Sequence, residues 1–245
     1  ASDWSARFSA RADGRLIWGG DATIAAIRAL PTPPRCVDVA FADRTSLCVM
    51  DAAAVAALDP DGLERLADGF FNDTYVLDQN ACSSPHLLLW LGDAGDAATR
   101  FWAALRRRVA RDYAPTPVRA VDKYTALLAA IVDGEPIVRA EGIGDGVTVA
   151  TLAALPADLA ERRGRFGLFR QMRADGLAPL APLLDGRFQT MTYFGLDPRA
   201  LGGFVVANRV AGIDRIVPVG QALDIGLVWD GFDLIGQLTR VVDLR

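Results

Sequence analysis

Strand-sized apolar runs alternate with stretches of helical period along this sequence, and that alternation restricts the fold more than any other feature. Leu16 to Trp18 is a short apolar run that ends in Gly19-Gly20-Asp21. Ile24, Ile27 and Leu30 follow in register for one helix face, ahead of the Pro31, Pro33, Pro34 cluster. Cys36 to Phe41 and Leu47 to Met50 read as two further strands. Ala53 to Phe71 reads as a helix that Pro60 starts or breaks in two. A polar loop, Asp78 to Pro85, leads into an apolar strand at Leu87 to Leu91. Ala97 to Tyr113 and Val121 to Val132 have helical spacing, the first with Phe101, Leu105 and Val109 on one face. Strands and turns alternate from Ile137 to Leu155, marked by Gly142, Gly144 and Gly146. Gln189 to Phe194, Phe204 to Val206, Ile213 to Val219 and Gly226 to Trp229 read as late strands, with a short helix near Leu234 to Val241. Strands alternating with helices predict an α/β fold.

Composition narrows the functional classes. With 245 residues, 51% of them hydrophobic, there is ample material for a core. No apolar stretch reaches the roughly 18 uncharged residues that a membrane helix needs. No basic segment followed by an apolar one opens the sequence, so no signal peptide is expected. The formal net charge of -4 disfavours a nucleic-acid surface. Arg106, Arg107, Arg108 and Arg111 cluster on a helix, where a solvated face is the ordinary reading. The three cysteines match no zinc spacing and the single histidine adds little, so no metal site and no disulfide framework is expected. A reducing cytoplasm is the expected setting.

Cys82 is the strongest chemical candidate, because it lies in a loop among hydroxyls and amides. Cys36 and Cys48 sit in strand patterns and read as small buried hydrophobes. A thiol attacks as thiolate, and backbone N–H groups around Cys82 and Ser83 offer oxyanion stabilisation. His86 is the only histidine available for a hydrolytic Cys–His pair, and a strand leaving the loop does not naturally aim it at Cys82. Trp18-Gly19-Gly20-Asp21 has the form of a phosphate-binding turn, although a two-glycine turn is usually only a turn. Asp224, Asp230 and Asp233 are spaced as turn and cap residues.

Asp78-Gln79-Asn80-Ala81-Cys82-Ser83-Ser84-Pro85 resembles the active-site signature of the fatty acyl-CoA reductases that supply aldehyde to bacterial luciferase, the LuxC-type branch of the aldehyde dehydrogenase superfamily. Ile17-Trp18-Gly19-Gly20-Asp21 is similar to that family's cofactor-domain turn, and Gln189 to Gly195 to a late catalytic-domain strand. Arg215 to Asp224, with Trp229-Asp230-Gly231, resembles its end. The resemblance implies an aldehyde dehydrogenase-like catalytic domain with a partial Rossmann-like cofactor domain. It sets boundaries at 1–72 for the remnant of the dinucleotide-binding domain, 73–212 for the cysteine domain and 213–245 for a returning segment.

It also implies a mechanism: Cys82 takes the acyl group from acyl-CoA or an acyl carrier protein, and NADPH or NADH reduces it to aldehyde. Asn80 and Ser83 then belong to the oxyanion loop, while Trp18, Gly19, Gly20 and Asp214 fall on the cofactor side. Where aldehyde-oxidising relatives carry a glutamate that activates water, this sequence aligns Ala40-Phe41-Ala42-Asp43-Arg44, with alanine in place of the glutamate. Losing that base disfavours hydrolysis of an acyl-enzyme. Asn80 and His86 both depart from the glutamines of the family pattern. Full members are much longer, so the resemblance implies a carboxy-terminal half that is a fragment of a longer protein, a chain completed by a second one, or a reduced protein with another role, and homo-oligomer formation is expected. Two other readings stay open: a stand-alone acyl-accepting or carrier-protein-binding module without a hydride step, and a non-catalytic interaction domain.

Overall fold

A computed structural model describes residues 3–142 and 146–245. The chain divides into two compact units, one formed by the residues up to Asp43 together with Ile225–Arg245, the other by Arg44–Asp224. These limits differ from the expected boundaries at 72/73 and 212/213.

The first unit begins with α1 (Asp3–Ser9), β1 (Gly14–Trp18), α2 (Asp21–Arg28) and β2 (Val37–Phe41). β1 and β2 pair in parallel with α2 as the crossover, a small βαβ unit. Arg15 on β1 ties the strands together through Asp38, with Nε–Oδ1 at 2.7 Å and Nη2–Oδ2 at 2.6 Å.

The second unit runs β3 (Thr45–Asp51), α3 (Ala52–Ala56), α4 (Pro60–Thr74), β4 (Pro85–Leu91), α5 (Gly95–Asp112), α6 (Pro117–Val132), β5 (Ile137–Glu141), β6 (Thr148–Leu152), β7 (Leu168–Ala174), β8 (Phe188–Phe194), α7 (Pro198–Ala207) and β9 (Arg215–Pro218). The chain then returns to the first unit as a hairpin, β10 (Val228–Trp229) and β11 (Phe232–Asp233), and α8 (Leu234–Leu238). Trp229 and Phe232 of the hairpin pack with Val39 and Phe41 of β2.

The second unit is a seven-stranded sheet in the order β5-β6-β7-β4-β3-β8-β9, parallel throughout except where β5 pairs antiparallel with β6. The sheet is covered on both faces, which is why β3 and β4 read as unbroken apolar runs. Leu88 and Trp90 of β4 face Phe70 of α4 with Phe101 and Leu105 of α5. Leu87 and Leu89, on the opposite face, pack with Leu180, Leu184 and Leu201. Pro60 does divide the expected Ala53–Phe71 helix. Asp59 caps α4 by accepting the Gly62 N–H at 2.7 Å.

One expectation needs correction, and one strand goes unread in the sequence. Phe204 to Val206 is not a strand but the last part of α7, because Asp197 caps that helix through the Arg199 N–H and Pro198 opens it. The strand pattern there arises from Phe204 and Val205, which pack partly against the core. β7 carries no apolar run, since Arg170, Gln171 and Arg173 interrupt it, and the sequence alone leaves it unassigned. It holds an interior place because its polar groups find distant partners. Gln171 Oε1 accepts both Trp90 Nε1 (3.0 Å) and Trp102 Nε1 (2.7 Å). Of the glycines that mark the turns between β5 and β6, Gly144 lies outside the described residues.

Candidate active site

Cys82 lies three residues ahead of β4, at the amino-terminal edge of the parallel strands, and is half-buried. The loop carrying it is fastened from three sides. Asp78 and Gln79 both adopt left-handed backbone conformations, with φ of 55° and 60°, and turn the chain out of α4. The buried Gln79 side chain donates to Pro85 O (3.2 Å) and Leu168 O (3.1 Å) and accepts the Gly167 N–H (3.1 Å). The Asp78 carboxylate accepts the Tyr113 hydroxyl at 2.8 Å and pairs with Arg119 at 2.8 Å. Ser84 Oγ donates to Asp73 O at 2.7 Å. From β3, Ser46 Oγ donates to the carbonyl of Cys82 itself at 2.6 Å and accepts the Thr190 N–H of β8 at 3.1 Å.

Asn80 and Ser83, expected in an oxyanion loop, share this loop. Asn80 is exposed, and its Nδ2 donates to Asp78 O at 3.2 Å, while Ser83 is buried. Asn80 lines a cavity of about 70 Å³ with Gln79, Ala81, His86, Arg163, Gly164 and Arg165. Burial, with Arg163, Arg170 and Arg165 adding to it, pushes the His86 imidazole down to about 3. That leaves it too weak a base to take a proton from a thiol.

Asp73, at the end of α4, is buried; its carboxylate accepts the Gly220 N–H (2.7 Å) and the Ala222 N–H (2.9 Å). Burial outweighs those two bonds and raises its carboxyl to about 6. Asp214 is exposed and directly precedes β9. It lies on the same edge of the sheet as Cys82, but β9 is three strand spacings from β4, or about 14 Å. Cys48 is fully buried in β3, where burial drives its thiol well above the ordinary range. Cys36 is half-buried and precedes β2.

Trp18, Gly19 and Gly20 belong to the first unit. Trp18 is 61% exposed, with its ring stacked on Phe41 at 4.4 Å. Gly20 caps α2 without a side-chain hydrogen bond, and a Cβ added there would meet nothing within 4 Å. An open glycine turn at a helix start fits the approach of a nucleotide backbone. The Asp21 carboxylate in the same turn suits a ribose hydroxyl better than a bare phosphate.

The remaining candidates have structural partners. Asp233 caps α8 by accepting the Gly236 N–H, Asp224 N–H closes a turn onto Gln221 O, and Asp230 adopts a left-handed conformation in the β10–β11 turn. Arg107 pairs with Glu64, and Arg108 and Arg111 with Asp68, so this basic face braces α5 against α4. Among the described residues no group of three or more His, Cys, Asp or Glu is arranged for a metal, and no helix is long and apolar enough to cross a membrane. Ser46, Asp73, Gln79 and Thr190 are the site residues that sequence reasoning misses. Their signal is a polar residue inside a buried element, as with Ser46 in the run Ser46-Leu47-Cys48-Val49-Met50.

Comparison with known proteins supplies the family context. The model of the acyl-CoA reductase (LuxC) family matches residues 2–128, just over half of the chain and including the Cys82 loop. None of the curated proteins matches the sequence. Among solved structures, a bifunctional proline utilization A (PutA) protein is similar with a TM-score of 0.60 and 16% identity, over 90% of this chain and 23% of that one. A 1-pyrroline-5-carboxylate dehydrogenase from Thermus with bound NAD gives 0.53 and 14%, over 89% of this chain and 45% of that one. A NAD-dependent benzaldehyde dehydrogenase from Corynebacterium glutamicum gives 0.54 and 16%, over 88% and 48%. The chain thus has an aldehyde dehydrogenase-like α/β fold and spans less than half the length of these structures.

Proposed function

The chain belongs to the acyl-CoA reductase (LuxC) family, and we propose that within it Cys82 accepts an acyl group from a thioester on the way to an aldehyde. The observation that carries this reading is the fastening of the Cys82 loop. The Ser46 hydroxyl of β3, the Asp73 backbone carbonyl at the end of α4 and the Gln79 and Ser84 side chains of the loop itself fix a half-buried thiol at the edge of the sheet. Such preorganisation suits a nucleophile, and the burial of Cys48 excludes it as an alternative.

The acyl donor is acyl-CoA or an acyl carrier protein. The Cys82 sulfur bonds to the thioester carbon, the carbonyl electron pair moves onto oxygen, and re-forming the carbonyl expels the donor thiolate, which takes a proton from solvent. Backbone N–H groups of the loop stabilise the oxyanion. A nicotinamide dinucleotide, NADPH or NADH, supplies the hydride when bound. Trp18, Gly19 and Gly20 are the residues of this chain that would hold it. The His86 imidazole, pushed down to about 3, is too weak a base to turn the acyl-enzyme toward hydrolysis. The aldehyde-forming step involves a second chain or further segment that supplies the rest of the cofactor domain, in a homo-oligomer of the reducing cytoplasm.

Intact-protein mass spectrometry after incubation with a panel of acyl-CoA thioesters tests the reading. A covalent acyl adduct on the wild type that is missing from Cys82→Ala is expected. An adduct that NADPH never discharges, even with the complementing segment present, would reassign the chain as an acyl-accepting module. Absence of any adduct on folded protein would overturn the acyl-acceptor role.

A further inference from the structure

Two arginines and the single histidine of the sequence line one small cavity next to the Cys82 loop. Its volume is about 70 Å³, and none of its lining residues is acidic. Arg163, Arg165, His86 and Asn80 supply most of its polar groups. His86 is 6% exposed, and its Nδ1 has no hydrogen-bond partner among the described residues. A buried nitrogen left without a partner in a polar cavity marks the place of a bound group. The space suits about two waters or one tetrahedral oxyanion.

The backbone holds this cavity ready. Arg163, Gly164 and Arg165 belong to the turn ahead of β7, and three bonds latch that turn to the loop of Cys82. Phe166, with a left-handed φ of 56°, donates its N–H to Asp78 O at 3.1 Å. Gln79 accepts the Gly167 N–H at 3.1 Å and donates to Leu168 O at 3.1 Å. A Cβ at Gly164 would run into the Leu168 carbonyl, so only glycine fits between the two arginines. The donors suit an oxyanion. A guanidinium offers paired N–H groups to phosphate oxygens. Asn80 gives one amide hydrogen to Asp78 O and keeps a second. Nδ1 of His86 donates once it carries a ring hydrogen. Burial first, and then Arg163, Arg170 and Arg165, depress the imidazole. That is the response of a ring set in positive potential, which a bound dianion would offset.

We propose that this cavity is a phosphate-binding subsite, in which Arg163, Arg165, Asn80 and His86 hold one phosphate group beside the loop of Cys82. The group arrives as free phosphate, or on one of the two ligands of the proposed activity, a coenzyme A thioester or a nicotinamide dinucleotide. Nothing in the subsite requires Cys82 to be acylated, so it stands or falls apart from the acyl-acceptor reading.

The single histidine makes the test direct, because in tag-free protein its imidazole signals belong to His86 alone. Isotope-labelled protein is followed by NMR near neutral pH while inorganic phosphate is added at constant ionic strength, with sodium chloride as the control. A saturable shift of the His86 ring signals is expected, half-complete below about 10 mM phosphate and missing with chloride. Arg165→Gln changes an exposed side chain, and it should raise the half-saturation concentration about tenfold by removing a charge-assisted contact. Arg163→Gln should do the same. No shift, a shift that chloride reproduces, or one that both arginine variants keep at wild-type strength would overturn the subsite and leave an adventitious ion only. Coenzyme A and NADPH are then titrated in the same way. Half-saturation at a lower concentration than phosphate assigns the bound group to whichever of them achieves it, and a site that prefers inorganic phosphate to both takes the free anion.

Discussion

Gln79 and Gly167, 88 residues apart, are joined by a hydrogen bond from the Gly167 N–H to Gln79 Oε1 at 3.1 Å. Gly167 has a left-handed φ of 82°, and a Cβ there would lie 2.1 Å from Gly146 O. The turn into β7 and the turn into β4 are thus built against each other. Gln79→Ala leaves the Gly167 N–H and the Pro85 and Leu168 carbonyls without this partner. Urea unfolding should show a loss of about 2–4 kcal/mol, from unsatisfied buried groups, and Cys82 should become more readily cleaved out by protease in the variant. A loss under about 0.5 kcal/mol, the range of an ordinary surface change, would remove Gln79 from the framework.

Asp73 gives the protein a pH dependence with a defined sign. Burial raises its folded carboxyl to about 6 from an ordinary 3.8, so the folded state holds the proton longer than the unfolded chain does. Its contribution to stability is therefore complete below about pH 4, declines as pH rises toward about 6, and is flat above that. The two-unit difference corresponds to something on the order of 3 kcal/mol. Asp73→Asn carries no titrating group. The stability of the variant relative to wild type should rise between about pH 4 and 6 and then level off, measured by denaturant midpoints at each pH. A difference that stays constant across that window would show that the carboxyl titrates normally.

The three cysteines should differ in reactivity according to their burial. Cys48 has no exposed surface and an elevated thiol, whereas Cys36 and Cys82 are half-buried. Brief treatment of native protein with iodoacetamide should label Cys36 and Cys82 alone, with Cys48 labelled only after denaturation. Peptide mapping that found Cys48 labelled at the native rate would contradict the closed packing of β3 between β4 and β8.

Much of this molecule is legible in its sequence for a physical reason. Strands β3 and β4 are buried on both faces, so their apolar runs survive any register. α4 carries its cap and its proline in the local sequence. The Cys82 loop stands out because hydroxyls and amides interrupt two apolar segments. What escapes is whatever depends on a distant partner. β7 is interior only because Glu135 and the two tryptophans satisfy its polar residues. Ser46 is a lone hydroxyl whose partner lies 36 residues away. The boundary at Asp43 escapes too, because β2 and β3 both read as strands and nothing local tells that they join different sheets.

The Glu135–Arg170 pair tests that last kind of dependence directly. Glu135 has a fully buried side chain and Arg170 is 5% exposed. The guanidinium grips the carboxylate with two bonds, Nη2 to Oε2 at 2.8 Å and a shorter one from Nε to Oε1. Removing one member leaves the other charge buried and alone, which costs about 3–5 kcal/mol, whereas replacing both by apolar groups of similar volume is close to neutral. Glu135→Leu and Arg170→Met should therefore each be strongly destabilising. Glu135→Leu with Arg170→Met should recover most of the loss, because neither charge then needs solvating. Guanidinium unfolding of the single and double variants measures the coupling. Additive losses would mean that the two side chains act independently and that β7 is held in place by its backbone ladder alone.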